Sequence, residues 1–307
     1  MKVRRSIWIS AALVIAVSLI LIVIVNAQNE AITFQDSNLE AMVRDQLGKA
    51  GGTIYKTNIE KVETLSIASN GSGNTIDYGA VKDLTDLKHF TGLKMLIIAD
   101  TEVKDLSPLS SLNNLQAVFF IGCNITADLA SLSNLPSLRA LDIRRSPVSD
   151  LSPLGNMTNL NELCITGLGE AGISALSALS HLTNLTTLKL FENNIQDISP
   201  LSNLTGLTEL DLSFNEISDI APLSNLTNLT TLRLDNNQIS DIASLSQLTN
   251  LTTLGLSNNQ ISDISPLVES SREGNGDSVI LYGNPLSEES VNVYIPQLRA
   301  MGFYVSY

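Results

Sequence analysis

Cations, aromatic rings and cysteines are all scarce in this 307-residue chain. Charged residues make up 16%, against ~25% in an average soluble domain. Acidic residues (31) outnumber Lys and Arg (18), for a net charge of −13. Binding to phosphate backbones requires clustered cations, so this balance argues against nucleic acid and against anionic membrane surfaces as partners. Two cysteines cannot build a disulfide framework, so any fold must be held by a core. Aromatic residues are 5%, with one tryptophan, Trp8. What the chain has instead is leucine, 49 residues of it. The hydrophobic share of 44% is near the globular average of ~45–50% and excludes general disorder. Length alone would suggest about two domains of ~150 residues.

The N-terminus reads as an address. Lys2, Arg4 and Arg5 precede an uncharged apolar run from Ile7 to Val25, followed by Asn26-Ala27-Gln28. Val25 and Ala27 fit the small-residue positions of a cleavage site after Ala27, the layout of a secretory signal. The run of ~19 residues is also long enough to span a bilayer, so an uncleaved anchor with its basic end inside is the competing reading. Removing residues 1–27 takes away three basic residues and no acidic one, so −13 becomes −16. The mature chain would contain no tryptophan.

Internal repetition accounts for most of the rest. Leu201–Pro222 reads LSNLTGLTELDLSFNEISDIAP, Leu223–Ser244 reads LSNLTNLTTLRLDNNQISDIAS, and Leu245–Pro266 reads LSQLTNLTTLGLSNNQISDISP. Units also begin at Leu87, Leu109, Leu132, Leu154, Leu179 and Leu267, and the usual period is 22. With irregular units at both ends, about ten stacked strands are expected. Positions one, four, seven, ten, twelve, seventeen and twenty of a unit are apolar. The tenth and twelfth alternate, so they belong to a short strand with both side chains inward. One unit alone cannot bury its leucines; stacked units share one continuous core. Position fifteen is Asn193, Asn215, Asn237, Asn259 and, near the C-terminus, Asn284, with Cys123 in one early unit. An amide there can bond buried backbone groups of adjacent turns. Position nineteen is Asp105, Asp150, Asp197, Asp219, Asp241 or Asp263. These carboxylates can be read as a calcium ladder or, preferably, as turn caps accepting backbone N–H bonds two or three residues on.

The pattern LxxLxLxxN, as in Leu229-Leu232-Leu234-Asn237 and Leu251-Leu254-Leu256-Asn259, resembles leucine-rich repeats. The 22-residue unit ending in ISDISPL is similar to the internalin-type repeat of bacterial surface proteins. Cysteine is the usual replacement for the repeat asparagine in that family. Ile32–Gly48 resembles the helical N-cap of such proteins, and Tyr282–Gly302 their C-terminal cap. The expected fold is a curved α/β solenoid with a parallel sheet on the concave face and a helical cap at each end. Its divisions are 1–27 (signal or anchor), 28–58 (N-cap), 59–286 (repeats) and 287–307 (C-terminal cap). Leu39, Met42, Val43 and Leu47 fall at helical spacing, and Gly48 fits the stop. Ser287 precedes Glu288 and Glu289 as a helix start should. Pro296 should bend or shorten that helix, and Phe303–Tyr307 can add a final strand.

Signals for chemistry are weak. Gly167-Leu168-Gly169-Glu170-Ala171-Gly172 matches GxGxxG, but it is the expansion of one repeat and not a βαβ turn; a longer turn leading into a short helix at about Ala171–Ala178 is expected. His89 and His181 lie four units apart, roughly 19 Å at ~4.8 Å per strand, and cannot share a metal. Cys123 and Cys164 occupy different repeat positions two units apart, which disfavours a disulfide; Cys164, on the outer strand face, is expected to be an exposed thiol. Asn184-Leu-Thr186 and similar sequons follow from the repeat itself. No cofactor, metal or catalytic residue is expected.

Function should therefore lie on the outward strand positions nine, eleven, thirteen and fourteen. Met95, Ile97 and Ala99, followed one unit later by Ala117, Phe119 and Ile121, would form an apolar patch, and such patches mark interaction sites. The Gly71–Val81 insertion or the N-cap could instead cover it. Arg144 and Arg145 come next, beside Asp142. Further on run Lys189, Asp211 and Arg233, with Phe191, Phe214 and Asp235 beside them. Aromatics and Arg are enriched as interface anchors, although opposite charges on neighbouring strands can also form a ladder worth ~0.2–1 kcal/mol each. The resemblance implies a non-catalytic extracellular module of adhesin or surface-receptor type, monomeric, binding a protein ligand. A tethered ectodomain with a structural or sensing role at the envelope, touching the membrane only through residues 7–25, is the alternative. Export with cleavage predicts that intact mass of the protein in culture medium begins at Gln28; a chain beginning at Met1 and found only in membranes would reject it.

Overall fold

Which residues point inward decides this architecture. The computed structural model describes residues 30–68, 80–123, 129–148, 150–167, 176–270, 274 and 276–307. The address at 1–27, the insertion at 71–79, the glycine motif from 168 on and the first part of the expected helix at 171–178 lie outside them.

Near the N-terminus β1 (Ala31–Ile32) and β2 (Ile54–Tyr55) pair antiparallel. Strands β3 (Thr64–Ala68), β4 (Met95–Ala99), β5 (Ala117–Ile121), β6 (Ala140–Arg144) and β7 (Glu162–Thr166) are followed by β8 (Thr187–Lys189), β9 (Glu209–Asp211), β10 (Thr231–Arg233), β11 (Thr253–Gly255) and β12 (Ser278–Ile280). With β13 (Tyr304–Ser306) they form an eleven-stranded parallel sheet in strict chain order. The expected ten are thus joined by the strand after Phe303. Pairing has no slip: Leu210, Leu232, Leu254 and Val279 stand side by side. The strict alternation of the repeat requires this, since a one-residue slip would turn every leucine outward. Tenth and twelfth residues are buried in every described regular unit, and the apolar set forms one continuous core.

Opposite the sheet, most units use 3₁₀ turns, such as Ser107–Ser111, Ser152–Asn156, Ser199–Leu201 and Ala221–Leu223, each with Pro at its start. A 3₁₀ turn rises ~2.0 Å per residue and spans the convex side with fewer residues than an α-helix. Leu176–His181 is also 3₁₀. The aspartates at position nineteen cap these turns: Asp105, Asp150, Asp197, Asp219, Asp241 and Asp263 each accept the backbone N–H two residues on at 2.8 Å. That geometry supports the cap reading over the calcium ladder. The backbone hydrogen bond from Ser107, Ser152 or Ser199 holds the carboxyls of Asp105, Asp150 and Asp197 below their ordinary range.

The asparagines tie coil to coil. Asn237 Nδ2 donates to Leu212 O in the preceding coil and Leu234 O in its own, both at 3.0 Å, while its Oδ1 accepts Ile217 N–H at 3.0 Å. Asn215, Asn259 and Asn284 repeat the arrangement. In the early units Thr101, Cys123 and Ser146 replace it. Cys123 Sγ reaches Ile98 O at 3.1 Å, and Cys123 N–H donates to Ser146 Oγ at 3.0 Å. The sequon residues belong to further ladders. Asn184 Nδ2 donates to Thr158 O at 2.8 Å, and Thr186 Oγ1 to Asn161 O at 3.2 Å.

Helices close both ends. Helix α1 (Ser37–Gln46) buries Leu39, Met42 and Val43, and Gly48 follows at φ +61°. Asp36 Oδ1 caps it, accepting Asn38 and Leu39 N–H, and its Oδ2 accepts Lys82 and Asp83 N–H from the segment just before the unit that begins at Leu87. Burial opposes ionisation of Asp36, but these four donors outweigh it and its carboxyl lies below the ordinary range. At the other end Ser287 Oγ accepts Ser290 N–H at 3.1 Å. Buried Ser290 bonds Ser262 O and Ile264 N–H, fixing the cap to the last coil. Pro296 leaves its mark as a π turn over Ser290–Tyr294, where Ile295 N–H bonds Ser290 O, before the chain continues as helix Ile295–Ala300. Proline has no N–H to give the carbonyl four residues back and its ring crowds that carbonyl, so the wider turn accommodates it.

Replacing Asn237 with Leu leaves the buried Ile217 N–H without its partner and takes one of two side-chain donors from Leu212 O and Leu234 O, which keep Asn215 and Asn259. It should lower unfolding free energy in urea by about 1–3 kcal/mol, whereas Asp219→Ala, an exposed cap, should cost about 0.5–1 kcal/mol. Equal small effects would show that the asparagines do not hold the coils.

Candidate binding face

The parallel register sets the outward side chains in columns. One runs Ile97, Phe119, Asp142, Cys164, Lys189, Asp211, Arg233, Gly255 and Ile280. The structure therefore brings the expected residues onto one face. They fall into three unlike regions.

The first is apolar. Met95 pairs with Ala117, Ile97 with Phe119 and Ala99 with Ile121. Met95 is 37% exposed; Ile97, Phe119 and Ile121 are half-buried. Helix α1 lies at the end of the stack beside β3, so α1 is not what covers this patch; the insertion that was the other possible cover lies outside the described residues.

The second centres on Asp142, and here the two arginines part company. Arg144 forks onto Asp142, with Nε at 2.8 and 3.0 Å from its two oxygens and Nη2 at 2.5 Å. Such a fork neutralises the guanidinium within the chain, and the Asp142 hydrogen bond raises the Arg144 pKa. Arg145 is exposed, with no salt bridge among the described residues. Cys164 is not the exposed thiol that its outward position suggests. It is 8% exposed beside this pair. Burial, then the Asp142 charge, pushes its thiol up to about 11, the reverse of what a nucleophile needs. Both cysteines are unpaired by disulfide.

The third region contains the charged stripe. Of the cross-strand ladder one diagonal rung forms, from Lys189 on β8 to Glu209 on β9, while the Lys189–Asp211–Arg233 column itself forms no salt bridge among the described residues. Lys189 turns to Glu209 at 2.8 Å, and Asp211 spends one oxygen on Ser213 N–H at 3.0 Å. Among the described residues Arg233 makes no salt bridge. Here the face sinks into an open hollow of about 630 Å³, walled by Phe191, Phe214, Arg233, Asp235 and Ile280 and floored by Ser213 and Gly255. Ser213, Gly255 and Ile280 were missed in the sequence. The one signal was a glycine at an eleventh position, in TLGL where the neighbouring units read ELDL and TLRL.

Position fourteen carries a property that periodicity does not show. In every described unit from Leu87 on, it has positive φ: Asp100, Gly122, Arg145, Gly167, Glu192, Phe214, Asn236, Asn258, and Gly283 in the last coil. The chain turns off the strand there in the left-handed region, which suits Gly and Asn and costs other residues ~1–2 kcal/mol. Phe214 stands there at φ +56° and is 54% exposed. A bulky ring strained and turned to solvent contributes little to the fold, and such outliers cluster at functional sites.

Among the described residues no group of three His, Cys, Asp or Glu gathers. His89 is half-buried on a 3₁₀ turn, where burial and then the Lys88 charge lower its pKa.

A leucine-rich-repeat family model matches residues 183–225 and 227–269. A search of curated proteins finds no match. Among solved structures, an internalin (InlF) of Listeria monocytogenes is similar at 30% identity and TM-score 0.74, over 89% of this chain and 76% of that one. Internalin C2 of the same species is similar at 29% identity and TM-score 0.63, over 75% and 98%. A leucine-rich repeat protein of Leptospira interrogans shares the fold at 20% identity and TM-score 0.67, over 75% and 59%.

Phe214→Asn, which installs the residue found at positions 236 and 258, should raise unfolding stability by about 0.5–1.5 kcal/mol through relief of the left-handed strain. A loss of stability in urea denaturation would show that the ring packs usefully after all.

Proposed function

Because the chain belongs to the internalin-like family of bacterial leucine-rich repeat proteins, we propose that it is an exported, non-catalytic module that recognises a protein partner through its concave face. Internalin-type repeats are protein-interaction modules. The observation that carries the reading for this chain is Phe214, strained and exposed at the rim of a hollow, at a position where the next two units place asparagine. The stability forgone at that position is understandable if the ring meets a ligand. The apolar patch around Phe119, with Arg145 and Arg233, which make no salt bridge among the described residues, supplies the other usual anchors. A buried thiol with a raised pKa and two histidines four units apart support a non-catalytic role. Among the described residues no helix is long and apolar enough to cross a membrane; the export reading rests on the sequence of residues 1–27.

Affinity capture with a chain starting at Gln28 tests the face. Replacing Phe119 and Ile121 with Asp should reduce recovery of a reproducibly captured extracellular protein at least tenfold, with the circular dichroism spectrum unchanged. Unchanged recovery by the folded variant would remove the apolar patch from the binding surface.

A further inference from the structure

The hollow beside Phe214 is specific enough to say what it takes. This deepens the concave-face reading and rests on it. Its depth comes from a missing side chain: Gly255 stands between Arg233 and Ile280 in the eleventh-position column. The Asp235 carboxylate lies across that gap, so close that a Cβ on Gly255 would come within 2.2 Å of its Oδ2. Asp235 Oδ1 is held by Ser257 N–H at 2.9 Å, and Asp211 Oδ1 by Ser213 N–H at 3.0 Å. Each carboxylate is thus fixed by one oxygen, and among the described residues neither enters a salt bridge. The floor adds an independent sign. Ser213 is only 6% exposed and lines the hollow, yet its hydroxyl has no hydrogen-bond partner among the described residues. Buried hydroxyls are ordinarily paired, so this one calls for an atom supplied from outside. Glu192, Asp211 and Asp235 against Arg233 give the hollow a charge of −2.

We propose that the hollow binds the guanidinium of an arginine on the protein partner. The planar cation would lie against the Phe214 ring and donate to the second oxygens of Asp211 and Asp235, with Ser213 Oγ accepting a further N–H. Arginine fits better than lysine because its donors are coplanar and its faces stack on aromatic rings. The carboxylates are already held in place, so binding need not order them.

The test is nuclear magnetic resonance of the full chain in neutral detergent, ¹⁵N-labelled at serine and phenylalanine and titrated with N-acetyl-arginine amide. N-acetyl-citrulline amide, equal in shape but uncharged, is the control. The arginine probe should shift the amides of Ser213, Phe214 and Ser257 saturably, and the citrulline probe should bind at least roughly tenfold more weakly, as for loss of a charge-assisted hydrogen bond. Asp235→Asn can still accept Ser257 N–H, so it keeps the fold while reducing arginine binding by a similar factor. Phe214→Asn should do the same. Equal response to citrulline, shifts scattered over the acidic surface, or undiminished binding by Asp235→Asn would overturn the proposal. Should the arginine probe fail while the Phe119 and Ile121 variant still loses its captured partner, the proposal falls and the concave-face reading stands.

Discussion

A chain that leaves a three-residue strand and turns back around an apolar core exposes backbone N–H and C=O groups to leucine side chains, out of reach of water. Unpaired, each would cost free energy comparable to a lost hydrogen bond. The position-fifteen asparagine answers this by serving two coils at once, donating to a carbonyl in its own coil and one in the coil before, and accepting an N–H from that preceding coil. The leucines can then be packed almost without interruption, and each coil is held to its neighbour at fixed register. Cys123 and Ser146 do the same work in smaller pieces, each bonding one or two backbone groups, while Thr101 Oγ1 bonds Cys123 Sγ.

Because the interior is fixed by that pairing, the outward positions are free to vary, and variation there is where information about ligands resides. The repeated fold also constrains them. Position fourteen is left-handed in each described unit, so any side chain other than Gly or Asn carries a strain cost there. Two of the residues that accept it, Arg145 and Phe214, are also exposed and of the types that anchor interfaces. The charges around them are arranged by local competition. Lys189 goes to Glu209 and Arg144 to Asp142, which neutralises two surface cations and leaves Arg145 and Arg233 without a salt bridge among the described residues. The acidic balance of the whole chain therefore continues into the hollow.

The division between sequence and structure follows the physics of each feature. Leucine phasing, the asparagine column, the aspartate caps and the helix starts at both ends were legible because each depends on residues within one period or on the same position one period away. Members of the candidate face were legible for the same reason, since knowing the strand phase tells which residues point outward. The tertiary structure alone decided how those residues share space. Cys164 is outward by phase and buried by its neighbours; Asp211 stands beside Lys189 and Arg233 by register yet bonds a backbone N–H. The hollow exists because a glycine on one strand meets a carboxylate from the turn after its neighbour, and the strain at Phe214 is set by a turn whose φ no periodicity encodes. Repetition along the chain determined the scaffold, because a solenoid's contacts are nearest-neighbour. Competition among side chains across three or more coils determined the site, because it depends on distances that only stacking creates.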